Sequence, residues 1–327
     1  MSINMDGLPT AAPPQPAQKL RFADVAVTAT APEFAGIYRN KQQHAPDFPA
    51  TLSRALAAGV EKVMLTGMSL ADVPTNLALA RSHPSQVALT IGVHPYHADL
   101  PADDPAYLAQ LADSVRAALA LRPCPLAAFG ELGLDYERLG RAGRDAQQRA
   151  FGAQLALVVR ERWDLPLFLH CRGACADFVA ALRPWLDRLP RRGLVHSFVG
   201  TVAEMRELVA LGLDVGVNGF SFRDRESLDM VAAIPLERLQ IETDAPWGEI
   251  KATSEVVKRY CVNAPALPGS KKKDKWDVNF MVKERNESCA ISTVAFVVAG
   301  LNGISVEEVA EAAWKNSVTM FRLDESA

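Results

Sequence analysis

Short apolar runs rich in β-forming residues recur along this chain at 22–28, 61–67, 87–93, 126–132, 165–171, 193–199, 213–219 and 238–244. Segments with helical spacing fill most of the gaps, at about 50–59, 72–81, 104–121, 144–163, 174–189, 202–212 and 224–233. Eight strands alternating with helices is the arithmetic of a (β/α)8 TIM barrel. A doubly wound open sheet is the competing α/β architecture, but it usually has fewer strands, and no G-x-G-x-x-G follows the first run. The 327 residues suit one such barrel or two ordinary domains. One domain, the barrel, is expected over 21–327, with an irregular loop at about 248–289 and two closing helices at about 290–301 and 305–320.

The first 20 residues are rich in Pro and Ala and show no apolar period, so a disordered tail is expected there. They lack the apolar core of a secretory signal and the arginine-rich character of a transit peptide. No apolar stretch reaches the roughly 18 residues a membrane span needs. The net charge of -3 gives no overall attraction to nucleic acid, so any such binding must use a local patch. The five cysteines, Cys124, Cys171, Cys175, Cys261 and Cys289, form no Cys-x-x-Cys pair. Reduced thiols in an intracellular protein are expected, in the cytosol or alternatively the nucleus.

Four of the runs end in side chains that bind metals well. GELGLD at 130–135 carries Glu131, FLHC at 168–171 carries His170, LVHS at 194–197 carries His196, and IETDAPW at 241–247 carries Asp244. A parallel barrel presents its chemistry at the C-terminal ends of its strands. Four such endings in order point to a metal centre at a barrel mouth, as in a metal-dependent hydrolase. Glu131 lies in an apolar run, where a carboxylate is costly unless a cation compensates it. It is the best placed to bridge two cations. Asp244 can bind metal, accept a proton from a metal-bound water, or cap the following turn. Glu242, two residues earlier, points the same way on an extended strand and lies one layer deeper behind Asp244.

His94, in IGVHPY, is assigned to the substrate phosphate and not to the metal, because the following proline favours extended geometry at this strand end. Arg172, directly after His170, and Arg285 are the candidates for holding phosphate in two-point fashion. Lys271, Lys272, Lys273 and Lys275 form a basic cluster in the loop after the eighth run, where contact with a phosphate backbone competes with simple solvation.

The motifs IGVHPY, GELGLDY, LFLHCR, LVHSFVGT, IETDAPW, RNES and NSVTMF, in this order from about Arg21 to Phe321, resemble the TatD family of metal-dependent deoxyribonucleases. The first strand, FADVAVTAT, is similar to the eukaryotic TatD-domain branch and bacterial TatD, which lack His-x-His there. The resemblance implies Glu131, His170, His196 and Asp244 as ligands of a divalent cation, magnesium or manganese with zinc as the alternative. It implies a 3′ to 5′ exonuclease with DNA as its partner, and places His94 near the scissile phosphate. Thr28 stands where that branch has Asn, and Ser288 where the family often reads Pro in R-N-E-P; Ala26 also offers no ligand.

Hydrolysis by a metal-activated water follows as the expected mechanism, with Asp244 as general base and Arg172 or His94 stabilising the developing charge. Two competing readings are kept. One is an amidohydrolase-type deaminase or lactonase, which usually needs His-x-His in the first strand. The other is a barrel that has lost turnover and binds nucleic acid as a scaffold.

Overall fold

The computed structural model describes residues 3–324. Eight strands form one sheet in chain order: β1 (Phe22–Val27), β2 (Val60–Leu65), β3 (Val87–Ile91), β4 (Leu126–Asp135), β5 (Leu167–Arg172), β6 (Gly193–Val199), β7 (Asp214–Val217) and β8 (Leu239–Ile241). The β3–β4, β4–β5, β5–β6 and β6–β7 pairs are parallel. Val27 at the end of β1 bridges in parallel to Ala245, just after β8. Pairing of first strand with last is what closes such a sheet into a barrel. The (β/α)8 architecture read from the alternation is the fold.

Helices α1 (Phe48–Ala57), α2 (Val73–Ser82), α3 (Tyr107–Leu119), α4 (Arg144–Glu161), α5 (Cys175–Leu182), α6 (Val202–Ala210) and α7 (Arg225–Ala232) follow the strands in turn, and α8 (Ile291–Asn302) and α9 (Val306–Phe321) close the chain. Local chemistry sets several ends. Thr201 and Glu204 form a capping box at the start of α6, and Asp224 caps α7 through the Ser227 N–H. The helix expected over 174–189 changes at Arg183 into a 3-10 stretch, Arg183–Arg188, where Pro184 has no N–H to give an α-helical bond. Strand β4 is buried at every position, as expected of a parallel strand covered on both faces. It runs to Asp135, past its expected end at 132. No single described helix is long and apolar enough to cross a membrane.

The single domain expected over 21–327 divides by its contacts into two compact units, Met1–Val63 with Val217–Asn316 and Met64–Gly216 with Ser317–Ala327. In the first unit the expectation of a disordered tail is corrected; residues 1 and 2 of that segment lie outside the described residues. Residues 3–20 have no regular structure, yet Met5 and Leu8 are buried. The Met5 and Pro9 carbonyls accept hydrogen bonds from Arg259 (2.9 Å) and the Tyr260 hydroxyl (2.8 Å). Pro13 O accepts from Asn263 at 2.9 Å, and the Ala17 N–H donates to Glu307 at 2.9 Å. The segment is held by donors and acceptors supplied elsewhere in its unit, which its own composition cannot show. Loop 248–289 is irregular apart from a short helix, Glu255–Tyr260, brief 3-10 turns, and a two-residue parallel ribbon of Ser270–Lys271 with Met281–Val282.

Candidate metal centre

The second unit gathers His94, just past β3, with Glu131, His170 and His196 from within β4, β5 and β6. Glu131 is flanked by Gly130 and Gly133 for a steric reason. A Cβ on Gly130 would stand 2.2 Å from the Phe168 carbonyl oxygen, and one on Gly133 would stand 1.9 Å from that of His170. Both glycines have φ near +150°, at 151° and 148°. The β4–β5 register shifts between Gly130 and Leu132, so Glu131 is the extra residue of a bulge. Bulges of this kind re-aim side chains beside active sites.

One oxygen of Glu131, Oε1, receives three imidazoles. His196 Nε2 lies 2.6 Å away, His170 Nδ1 2.7 Å and His94 Nε2 3.2 Å. All four residues are buried. Burial alone would raise the Glu131 pKa, but the charges of His196 and His94 and hydrogen bonds from His170 and His196 hold it well below the usual carboxylate range. Burial pushes the His94 imidazole down. His170 moves up despite burial, because Asp135 and Glu131 both accept from its ring. Three imidazole nitrogens converging on a single carboxylate oxygen form a donor set of the kind that binds a cation with release of protons. Ligand atoms of His94, Glu131 and His170 all lie within 4.8 Å of one another, so the residues fit a divalent ion.

The hydrogen bonds separate His94 from the other two rings. Its Nδ1 accepts the Tyr96 backbone N–H at 3.0 Å. The one proton of a neutral ring is then on Nε2, the nitrogen that faces Glu131. In that state the Nε2–H of His94 points at Glu131 Oε1, 3.2 Å away, and His94 is one of the three residues that offer candidate ligand atoms. His170 is held differently: Nδ1 faces Glu131 and Nε2 donates to Asp135 Oδ2 at 3.1 Å. A carboxylate on the far nitrogen fixes ring orientation in metal sites. Asp135 was not singled out from sequence, although it ends the GELGLD motif four residues after Glu131; the expected strand end at 132 left it outside. Tyr96 was also missed. Its hydroxyl bonds Asp135, and burial and that carboxylate push its pKa up to about 12.

Helix α4 pins this region from behind. Gln147 and Gln154 are fully buried on one face, two turns apart. Gln147 accepts from Asp135 N (2.7 Å) and donates to Asp135 O (2.8 Å). Gln154 does the same for Val93, at 2.8 and 3.0 Å, directly before His94. Arg172 ends β5 half-buried, with its guanidinium donating to Ser197 O at 2.9 Å.

The remaining sequence candidates belong to the first unit. Arg285 is corrected: its side chain is fully buried, pairs with Asp47 at 2.7 and 2.8 Å and with Glu287 at 2.8 Å, and has no exposed surface for phosphate. It is a structural cation; the sequence shows its charge but not its partners. Strand β8 ends at Ile241, and Asp244 is partly exposed at φ 55°. Extended alternation therefore does not carry through from Glu242 to Asp244. Glu242 is buried and accepts from Asn218 Nδ2 at 3.1 Å. Thr28 N donates to Ala245 O at 2.9 Å. Asp24 accepts from the N–H and hydroxyl of Thr243 at 2.9 and 2.6 Å, and the Ser288 hydroxyl also bonds it.

A model of the family described as TatD related DNase matches residues 35–322. A protein of Schizosaccharomyces pombe named Deoxyribonuclease Tat-D is 41% identical over 310 residues, covering 93% of this chain and 96% of that protein. A 3′-5′ ssDNA/RNA exonuclease TatD of Pantoea vagans is 33% identical over 291 residues, covering 88% of this chain and 98% of the relative. The crystal structure of an uncharacterized amidohydrolase from Saccharomyces cerevisiae superposes with a TM-score of 0.85 at 30% identity, covering 92% of this chain and all of that one.

Proposed function

The chain belongs to the TatD-related DNase family, and from that membership we propose that it is a divalent-metal-dependent deoxyribonuclease that trims DNA from the 3′ end with magnesium or manganese. One observation in the chain itself carries the reading: a buried carboxylate oxygen within 2.6 to 3.2 Å of three imidazole nitrogens. Nothing about a stable core calls for such a set, and burying it without a cation is costly.

Glu131, His170 and His196 are the residues of the second unit that would hold the ion. Bound there, a divalent cation supplies Lewis acidity, drawing charge from a phosphate oxygen and making a nearby water more acidic. The protein's own groups do the rest. Glu131 keeps its negative charge throughout because the imidazoles hold its pKa low. Asp135 accepts from His170 and keeps that ring turned towards Glu131. His94, with Nδ1 occupied by the Tyr96 N–H, offers its Nε2–H to a phosphate oxygen as negative charge builds there. Asp244 is assigned the proton released by the attacking water, on the strength of its chemistry and place in the IETDAPW motif. Arg172 supplies fixed positive charge at the end of β5.

The test is cleavage of 5′-labelled and 3′-labelled DNA by chelated protein, with single metals added back. A ladder shortening from the 3′ end with magnesium or manganese, absent for His170→Ala together with its bound metal, is the expected result. Equal cleavage by His170→Ala and wild type ends the proposal. Turnover of cyclic amides or esters in place of DNA would favour the amidohydrolase reading.

A further inference from the structure

The deoxyribonuclease reading leaves unused a surface within the first unit where cations and aromatic rings alternate. Ile37–Tyr38 pairs with Lys41–Gln42 as a hairpin, whose two turn residues, Arg39 and Asn40, have φ of 50° and 60°. That is the left-handed geometry of a tight hairpin turn. The segment KKKDKW, 271–276, lies against this hairpin through its rings. Trp276 stacks on His44 with centroids 5.3 Å apart and planes at 5°. The Tyr38 ring lies 5.7 Å from that of His44, and Lys273 Nζ stands 4.9 Å from the Tyr38 centroid. The Trp276 indole N–H donates to Asp47 at 3.2 Å, which fixes the ring while leaving it part exposed.

Around these rings Arg39, Lys41, Lys272 and Lys275 are exposed. Lys271 is occupied by Asp277 at 2.8 Å and by the Phe280 ring, so it is not counted. Asp274 is the exposed carboxylate within the segment. The patch thus reverses the sign of a chain whose net charge is -3. Solvated lysine runs are common, but they are not usually built around a locked tryptophan and a tyrosine.

We propose that this platform, Arg39, Lys41, Lys272, Lys273 and Lys275 set about the Tyr38 and Trp276 rings, binds a single strand of DNA. The cations meet successive phosphates, and the exposed part of Trp276 takes the face of an unpaired base. A duplex hides its base faces by stacking, so only an unpaired strand uses both halves of the surface. The proposal rests on the reading that the chain works on DNA and adds where the strand is held.

The experiment is fluorescence anisotropy of a labelled oligothymidylate of about 20 nucleotides, in chelator so that nothing is cut, over a salt series. Four proteins are compared: wild type, Arg39→Glu/Lys41→Glu/Lys272→Glu/Lys275→Glu, Trp276→Ala, and Lys315→Glu as an exposed lysine elsewhere in the unit. The charge reversal is expected to raise Kd at least tenfold and to flatten the slope of log K against log salt by about 3 units. Trp276→Ala is expected to weaken single-strand binding about tenfold while changing duplex binding little. Lys315→Glu should match wild type. Thermal melting checks folding, with Lys272→Glu/Lys275→Glu as the milder replacement if the quadruple variant is unfolded. A wild type that does not bind the oligonucleotide overturns the proposal, as do reversal variants with unchanged Kd and slope. DNA bound in this way but never cleaved sinks the deoxyribonuclease reading instead and leaves the platform standing.

Discussion

Glu131 carries on one oxygen the interactions that three imidazoles would otherwise leave unmet, so its replacement should be felt at every ring. The residues around it divide by what each hydrogen bond does to a proton. His94→Ala removes the Nε2–H donor and no proposed ligand; DNA cleavage should fall by at least about 100-fold while metal content, read by elemental analysis, stays at the wild-type level. Loss of the metal would show that His94 ligates after all. Asp135→Asn should loosen His170 and weaken metal affinity by about 10- to 100-fold with little change in melting temperature. Metal affinity should also fall with acidity, because the His170 ring, held above the usual imidazole range by Asp135 and Glu131, must lose a proton before it ligates. Calorimetric titrations of metal at pH 6, 7 and 8 check the sign: tighter binding at the lowest pH contradicts it. Glu131, His170 and His196 were legible in sequence because a charge or imidazole inside an apolar run needs a reason. Asp135 and Tyr96 were not, because their roles depend on where a strand stops and a loop turns. Arg285 misled because a buried ion pair with Asp47 and an exposed phosphate clamp look alike in sequence.

Two elements set the precision of the site, the bulged strand β4 and the helix α4 behind it. Gly133→Ala puts a methyl against the His170 backbone at a glycine-only conformation. It should cost stability and displace His170 together, which urea unfolding and metal content would register; a variant as stable and as fully loaded as wild type contradicts this account of the bulge. Gln154→Ala leaves the N–H and C=O of Val93 unpaired in a buried place and should destabilise by about 3 kcal/mol. At β1, burial raises the Asp24 pKa to about 6, with hydrogen bonds from Ser288 and Thr243 opposing the shift. A carboxyl whose native pKa is raised favours folding when protonated. Its contribution is full below about pH 4 and is lost as pH rises through about 6. Asp24→Asn should remove this dependence and add on the order of 2 kcal/mol near neutrality; identical stability–pH curves for the two proteins would contradict it. The strand and helix positions themselves were readable from periodicity to within a few residues, since the two periods are properties of the local chain.

For the whole molecule, a metal that binds only the native state should add about 2.7 kcal/mol at a hundred times its Kd, raising the melting temperature by about 5 °C, and chelator should reverse it. Deleting residues 3–16 should lower the melting temperature, because Met5 and Leu8 are buried and the Met5, Pro9 and Pro13 carbonyls are bonded; a truncated protein that melts with wild type would restore the disordered tail. By itself the amino-acid order determined the barrel and marked Glu131, His170 and His196 as buried polar groups within its strands. Alternating periods and buried charges are encoded in near neighbours, and near neighbours are what a sequence displays. Tertiary structure alone decided that Glu131 meets three imidazoles on a single oxygen, that Asp135 turns His170, that Arg285 is sealed in the core and that the proline-rich start is tied down. Each of those depends on groups tens to hundreds of residues apart, whose distances only the folded backbone sets.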